Sequence, residues 1–220
     1  MERTFAIGDI HGCSKTFEKL LFDKMKIEKT DQIYCIGDYI DRGKNTKAVI
    51  DLILQLIEEG YTFFTLRGNH EQMLLDSLSD GEAFDLWMQN GGGKTLQSFG
   101  IDSLENLSDK YLSFFNETKF YFETEKYIFV HAGLNFYQKD IFKDKEAMLW
   151  IRDFSSYQPA LKDRLLIHGH TPKRLKYILN QKGNCIDIDG GCVYNNLVPY
   201  GNLVALDLNE RRFIWEENCE

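Results

Sequence analysis

Three short apolar runs in the first 70 residues constrain this chain more than any other feature: TFAIGDI (4–10), QIYCIGD (32–38) and TFFTLRG (62–68). Each has the β-branched and aromatic make-up of a buried strand, and each reaches a charged side chain beside a glycine. Amphipathic stretches separate them, one from about Ser14 to Met25 and one over residues 46–59, TKAVIDLILQLIEE, which Gly60 stops. NHEQMLLDSL then opens a further helix after the third run. This βαβαβα order predicts parallel strands joined by crossover helices. Carboxylates seldom end a core strand unless something offsets their desolvation, so the strand ends pose the functional question.

The second half changes character. KFYFETEKYIFVHAG reads as a hairpin, and RLLIHGH, NCIDID, NLVALDL and RFIWEE read as short strands divided by turns. A parallel half followed by a strand-rich half predicts an α/β fold of two packed mixed β-sheets flanked by helices. Residues 80–118 are helical by pattern and less hydrophobic, which suggests a helical cap over a site. With no linker or repeat, the 220 residues are expected to form a single domain.

Composition removes several function classes. Hydrophobic residues make up 43%, with 16 Phe and 11 Tyr, too many for a disordered chain. No apolar run approaches the roughly 20 residues of a membrane span. The opening MERTFAIGDI runs straight into a strand rather than a signal peptide, and five cysteines without a CxxC pair suit a reducing cytoplasm. The formal net charge of −8 argues against a nucleic-acid partner. An anionic substrate would need a site that supplies its own positive field.

The strand ends repeat one chemistry. The first brings Asp9 and His11, the second Asp38, Asp41 and Arg42, the third Asn69, His70 and Glu71. IFVHAG adds His131, and LLIHGH adds His168 and His170, so all five histidines lie in these segments. Singly, each has a bland reading: an Asp-Gly turn, an Asn helix cap, a hydrogen-bonded core histidine, a surface arginine. Jointly they converge, because ligands of open α/β sheets bind at the carboxyl ends of the strands. Mixed carboxylate, imidazole and amide oxygen suits manganese, iron or zinc better than calcium. Two metals about 3.5–4 Å apart need a bridging carboxylate, and Asp38, on the middle parallel strand, is placed to be it. Two dications less Asp9 and Asp38 leave the local positive charge that the acidic chain otherwise lacks. NGGGKT (90–95) resembles a phosphate loop, but Met88 stands where a Walker motif requires glycine and no strand precedes it, so it reads as a flexible glycine turn.

GDIHG, GDYIDRG and GNHE, in this order and spacing, resemble the three-part signature of the phosphoprotein phosphatase family of metallophosphoesterases. GNHEQM, NGGG, VHAG, LWIR, GHTP and IDGG extend the likeness to its bacterial and phage-type branch over nearly the whole chain. The resemblance implies two divalent metals, manganese first with iron or zinc as alternatives, held by Asp9, His11 and Asp38 and by Asp38, Asn69, His131 and His170. It implies His70 as general acid oriented by Asp41, and Arg42 and Arg152 on phosphoryl oxygens together with Asn69 and His70. Strand alternation puts His168 and His170 on one face; the family's Gly-His-Thr-Pro selects His170 and leaves His168 a supporting role, while Glu71 supports the helix N-terminus. The implied reaction is hydrolysis of a phosphate monoester by direct attack of metal-activated water; no cysteine sits in a nucleophile motif. A serine/threonine protein phosphatase is the leading expectation, a monomer acting on phosphoprotein or small phosphorylated substrates. A symmetrical dinucleoside polyphosphate hydrolase or broad small-molecule phosphatase is the alternative, disfavoured by His11 and by Asp-Arg-Gly in the second motif. A non-catalytic binding module would be expected to lose a ligand or the acid, and none is missing.

Overall fold

The computed structural model describes residues 2–153 and 161–220. The strands are β1 (Thr4–Ile7), β2 (Gln32–Cys35), β3 (Thr62–Thr65), β4 (Tyr121–Glu123), β5 (Tyr127–Val130), β6 (Leu165–His168), β7 (Cys185–Asp187), β8 (Asn202–Asp207) and β9 (Arg212–Glu217). The helices that matter below are α1 (Ser14–Lys19), α2 (Thr46–Glu58), α3 (Asn69–Asp76), α4 (Gly81–Trp87), α5 (Gly93–Phe99), α6 (Asp109–Glu117), α7 (Lys145–Trp150) and α8 (Leu175–Ile178). The first predicted helix runs to Met25 as expected, although its second half, Leu20–Met25, is wound as a π-helix.

One sheet has the order β3-β2-β1-β8-β9 and the other β4-β5-β6-β7. β1, β2 and β3 are parallel, with β2 central among the three, in the register Phe5↔Ile33↔Phe63. β4 and β5 form the predicted hairpin, and β5, β6 and β7 are parallel. The last two strands depart from the two-halves reading. β8 crosses back to pair antiparallel with β1, and β9 follows it, so the C-terminal strands complete the first sheet. β1 would otherwise leave one row of backbone N–H and C=O groups unpaired in the interior.

Alternation along each strand builds the layers. Phe5, Ile7, Ile33, Cys35, Leu203 and Ala205 face the helices of the first sheet. Ala6, Tyr34, Val204 and Leu206 face the other way and meet Phe129, Leu165, Ile167 and Ile186 of the second sheet. Ile128, Val130 and Leu166 cover that sheet's outer side with Met148 of α7. Two apolar faces per sheet explain why these strands read as continuous hydrophobic runs. Tyr34 and Phe129 stack across the interface, ring centroids 3.8 Å apart and 3° from parallel.

Residues 81–117 form α4, a π-turn at Met88–Gly92, α5 and α6. Trp87, Leu96, Phe114 and Phe115 join the same hydrophobic cluster as Phe17 and Ile50. NGGGKT is therefore no flexible turn. It lies inside a helical run that bends only at Gly91, whose φ of 111° admits glycine readily. Among the described residues no helix is long and apolar enough to cross a membrane.

Phe129 is fully buried at the join of the two sheets. Phe129→Ala should therefore lower unfolding free energy by about 3–5 kcal/mol, whereas Phe129→Leu should cost about 1.5 kcal/mol or less. Urea denaturation followed by circular dichroism measures both.

Candidate metal centre

The carboxyl ends of five strands meet at one rim. Asp9 and His11 follow β1; Asp38, Asp41 and Arg42 follow β2; Asn69 and His70 open α3 after β3; His131 follows β5 and His170 follows β6. All but Arg42 are buried, although all nine are polar or titratable groups that ordinarily seek water. Arg152, past the end of α7, is exposed at the edge of this rim.

Two groups of donor atoms share Asp38. In one, Asn69 Oδ1 lies 2.9 Å from both His131 Nε2 and His170 Nδ1, which are 3.2 Å from each other. Asp38 Oδ1 is 3.5 Å from the same His131 nitrogen. His131 Nδ1 donates to the carbonyl of Ile36 at 2.9 Å, and that bond fixes the tautomer so that Nε2 presents a lone pair. In the other group, Asp38 Oδ2 lies 3.4 Å from His11 Nε2 and 4.0 Å from His70 Nε2. His11 Nδ1 donates to the Ile40 carbonyl at 2.7 Å, again leaving Nε2 as the lone pair, which accepts from Arg42 Nη1 at 2.7 Å. Asp38 thus offers one oxygen to each group.

Asp9 sits beside these groups rather than within them, its carboxylate accepting from the His170 backbone N–H at 3.2 and 3.4 Å. His168 is outside both as well: β-pairing sets it opposite Asp187, and burial pulls its pKa down to about 4. Arg152 reaches toward Thr171, the chain neighbour of His170, at 3.4 Å.

Electrostatics favour a cation here. Burial, then the charges of Asp189 and Asp38, push Asp9 well above the usual carboxylate range, and burial brings Asp189 up to about 7. Burial opposes ionisation of Asp38 too, but His131, His70, His11 and His170 around it hold its pKa well below normal. Burial also lowers His11, His131 and His170, the last to about 3, so these imidazoles are neutral ligands at neutral pH. Clustered lone pairs facing one another, with crowded buried carboxylates behind them, fit divalent metals; an apolar or hydrogen-bonded core would not choose this arrangement.

Of the supporting side chains, Trp87, Thr95 and Tyr194 carry no motif signal. The buried carboxylate of Asp41 accepts from His70 Nδ1 at 2.6 Å, from Thr95 Oγ1 at 2.6 Å and from Trp87 Nε1 at 2.9 and 3.1 Å. Trp87 and Thr95 come from the helical run after residue 80. Its kink at Gly91 lets that backbone approach Arg42, since a Cβ there would lie 2.8 Å from the Arg42 nitrogen. The Arg42 guanidinium lies 5.7 Å from the ring centre of Tyr194. Glu71 accepts from four backbone N–H groups, those of Gly68, Asp38 and Tyr39 at 2.9 Å and of Ile40 at 3.3 Å. A buried carboxylate that needs three or four donors was the available signal for these partners.

Comparison with known proteins identifies the family. Residues 2–205 match the calcineurin-like phosphoesterase family. An asymmetrical bis(5'-nucleosyl)-tetraphosphatase of Oceanobacillus iheyensis is 24% identical over 94% of this chain and 89% of its own length. Serine/threonine-protein phosphatase 2 of Salmonella typhimurium is 30% identical over 68% of this chain and 67% of its own. The crystal structure of a cold-active protein-tyrosine phosphatase from a psychrophilic Shewanella superposes with a TM-score of 0.70 at 16% identity, covering 98% of this chain and 77% of that one. A sandwich of two sheets with metal-donor groups at one rim is the architecture of a metallophosphoesterase. The chain belongs to the calcineurin-like phosphoesterase family, with the motifs of its phosphoprotein-phosphatase-type members, and is an enzyme of phosphoester hydrolysis in a family that works with a dinuclear metal centre.

Glu71 should be sensitive to the smallest change. Glu71→Gln keeps the shape but turns an NH2 group toward backbone N–H donors, which should cost about 1–3 kcal/mol of stability. Urea unfolding measures the loss, and amide hydrogen exchange should show it concentrated at Asp38–Ile40.

Proposed function

We propose that the protein is a phosphomonoester hydrolase working by direct water attack, with serine/threonine phosphoprotein as its leading substrate class. Asp9, His11 and Asp38 would hold one metal, and Asp38, Asn69, His131 and His170 the other, with manganese favoured and iron or zinc chemically suited. A metal pair so held supplies charge for the phosphoryl oxygens and lowers the pKa of a coordinated water. The remaining work falls to side chains. The His11 lone pair cannot serve Arg42 and a cation together, so a cation held there would leave the Arg42 guanidinium for a phosphoryl oxygen. Arg152, exposed beside Thr171, would supply the second fork.

The observation that carries the acid step is at His70. Its Nδ1 is bound to Asp41 at 2.6 Å, while its buried Nε2 faces Asp38 with no hydrogen-bond partner among the described residues. Asp41 therefore fixes the ring through Nδ1–H and aims Nε2 into the site, from which a proton on Nε2 would pass to the departing alkoxide. Water restores that proton after product leaves.

A second substrate reading is dinucleoside tetraphosphate hydrolysis, favoured by the relative from Oceanobacillus iheyensis that this chain matches along nearly its whole length. The phosphoprotein reading draws on Asp-Arg-Gly in the second motif and on the Salmonella relative. Rates of the manganese-loaded protein on phosphoserine peptides and on diadenosine tetraphosphate separate the two, the faster kcat/KM naming the class.

His70→Asn should retain its metals yet lose about 10²–10⁴-fold in kcat on alkyl phosphates. It should lose far less on p-nitrophenyl phosphate, whose leaving group departs without a proton; equal losses on both would remove the acid role. Asp38→Asn should lower occupancy at both sites together, read as metal per protein by plasma mass spectrometry after gel filtration. Two tightly held ions in that variant would contradict the bridge.

A further inference from the structure

Among the described residues, a run of cations without ion-pair partners lies on one surface beside the site. The ten residues 173–182, KRLKYILNQK, carry four cations and no acid, in a protein whose formal charge is −8. They form α8 and its flanks, with Arg174, Lys176 and Lys182 exposed. No ion pair engages Lys173, Arg174, Lys176 or Lys182 among the described residues, although carboxylates pair with Lys24, Lys47, Lys110 and Lys143 elsewhere. Arg174, Lys176, Lys182 and the 60%-exposed ring of Tyr177 line an open groove of about 630 Å³ with no acidic side chain in its walls.

This groove leads to the metal rim. Tyr177 and Gln181 also wall a smaller polar cavity of about 170 Å³, whose other end is made by Ala132, Arg152 and Thr171. Ala132 and Thr171 are the chain neighbours of His131 and His170, and Arg152 is one of the two guanidiniums assigned to the phosphoryl group. Two acids line the small cavity: Asp187 is buried and faces Lys173, and Asp153 is exposed beside Arg152, while the larger groove has no acid in its walls. The path from Arg152 through Lys173 to Lys182 is thus a cationic track that begins where the scissile phosphate would lie.

We infer that this track docks acidic side chains flanking the phosphorylated residue of a protein substrate, an inference that rests on the phosphoprotein reading above. Charge complementarity selects an anionic occupant. The spacing selects a peptide over a compact polyphosphate: the cations are spread along ten residues of an open groove rather than focused on one point, and Tyr177 and the side-chain amides of Asn180 and Gln181 between them suit an extended backbone.

The test uses the manganese-loaded full chain and two peptides with the same phosphoserine, one flanked by Asp and Glu, the other by Ala and Gln. Wild type should prefer the acidic peptide in kcat/KM by about tenfold at low salt, as expected when three exposed ion pairs of ordinary strength add. The preference should reside in KM and shrink in 0.5 M salt as about 4 Å screening replaces about 10 Å. The combined variant Arg174→Ser, Lys176→Ser, Lys182→Ser should lose the preference while its kcat on p-nitrophenyl phosphate and its thermal midpoint stay unchanged. Equal rates on both peptides in wild type, or an undiminished preference in the variant, would overturn the inference. A variant that loses diadenosine tetraphosphate hydrolysis but not peptide selectivity would give the track to polyphosphate instead and overturn it too. Fluorescence anisotropy of a labelled acidic peptide lacking phosphate reads docking without turnover. Binding that the variant loses, in a protein inactive on every phosphoester, would sink the hydrolase reading and leave the docking surface standing; active protein without such binding or selectivity would do the reverse.

Discussion

The carboxylate of Glu71 ties together the two segments on which the candidate centre depends. It accepts the N–H of Gly68, at the start of α3, and the N–H groups of Asp38, Tyr39 and Ile40, in the loop after β2. One anchored group therefore sets Asp38 on one side and Asn69 and His70 on the other. The approach is tight enough that a Cβ on Gly68 would fall 2.1 Å from Asp38 Oδ1, so only glycine permits it. Burial and the neighbouring Asp38 raise Glu71 to about 8, opposed by the amides it accepts from. Such a group is retained for position, because a carboxylate with several fixed backbone donors specifies one geometry.

Position here is held against strain. Asp38, Asp41 and Arg42, with His11 and His170, have φ between 46° and 69°, in the left-handed region that side chains with a Cβ rarely adopt. Each such residue costs roughly 1–3 kcal/mol unless its surroundings determine it. The lacing between loops provides that determination. Ile10 and His11 both donate to the Asp38 carbonyl at 3.1 and 2.8 Å, and Gly12 donates to that of Tyr39 at 2.8 Å. The sharp left-handed steps turn consecutive side chains of the second loop to different tasks: Asp38 to both donor groups, Asp41 to His70, Arg42 to the open side. Rigid strands carry the loops, and the loops carry the chemistry.

The parts of this arrangement legible in the sequence were those with a local period or a repeated end. Two-residue alternation and glycine-flanked strand ends placed Asp9, His11, Asp38, Asn69, His131 and both His168 and His170 on one rim, because parallel strands force their carboxyl ends together; only the family's Gly-His-Thr-Pro chose His170. The return of β8 to pair with β1 was not legible, since nothing in NLVALDL distinguishes a strand of one sheet from a strand of the other. Trp87 and Thr95 were missed for a related reason. They reach Asp41 across 46 and 54 residues of sequence, and a hydrogen bond at that separation leaves no periodic trace. The misreading of NGGGKT as a turn has a narrower cause. Its glycines suggested flexibility, whereas Gly91 supplies close approach to Arg42 and Gly92 packs under the ring of Trp87.

Depth would divide the electrostatic work between the proposed metal centre and the proposed α8 track. The donor groups around Asp38 are almost wholly buried, so charge placed there acts in low dielectric with little screening and can follow the developing charge of the transition state. The α8 track is exposed, and salt confines its reach to about 10 Å. A field of that kind gathers and orients a ligand but changes little once the ligand is bound, so it bears on KM while the buried groups bear on kcat. The separation also resolves how a chain of net charge −8 can take an anionic substrate. Its carboxylates outnumber its cations overall, yet Asp9, Asp38, Asp41 and Glu71 are buried at the rim, and Arg174, Lys176 and Lys182 in and around α8 are exposed.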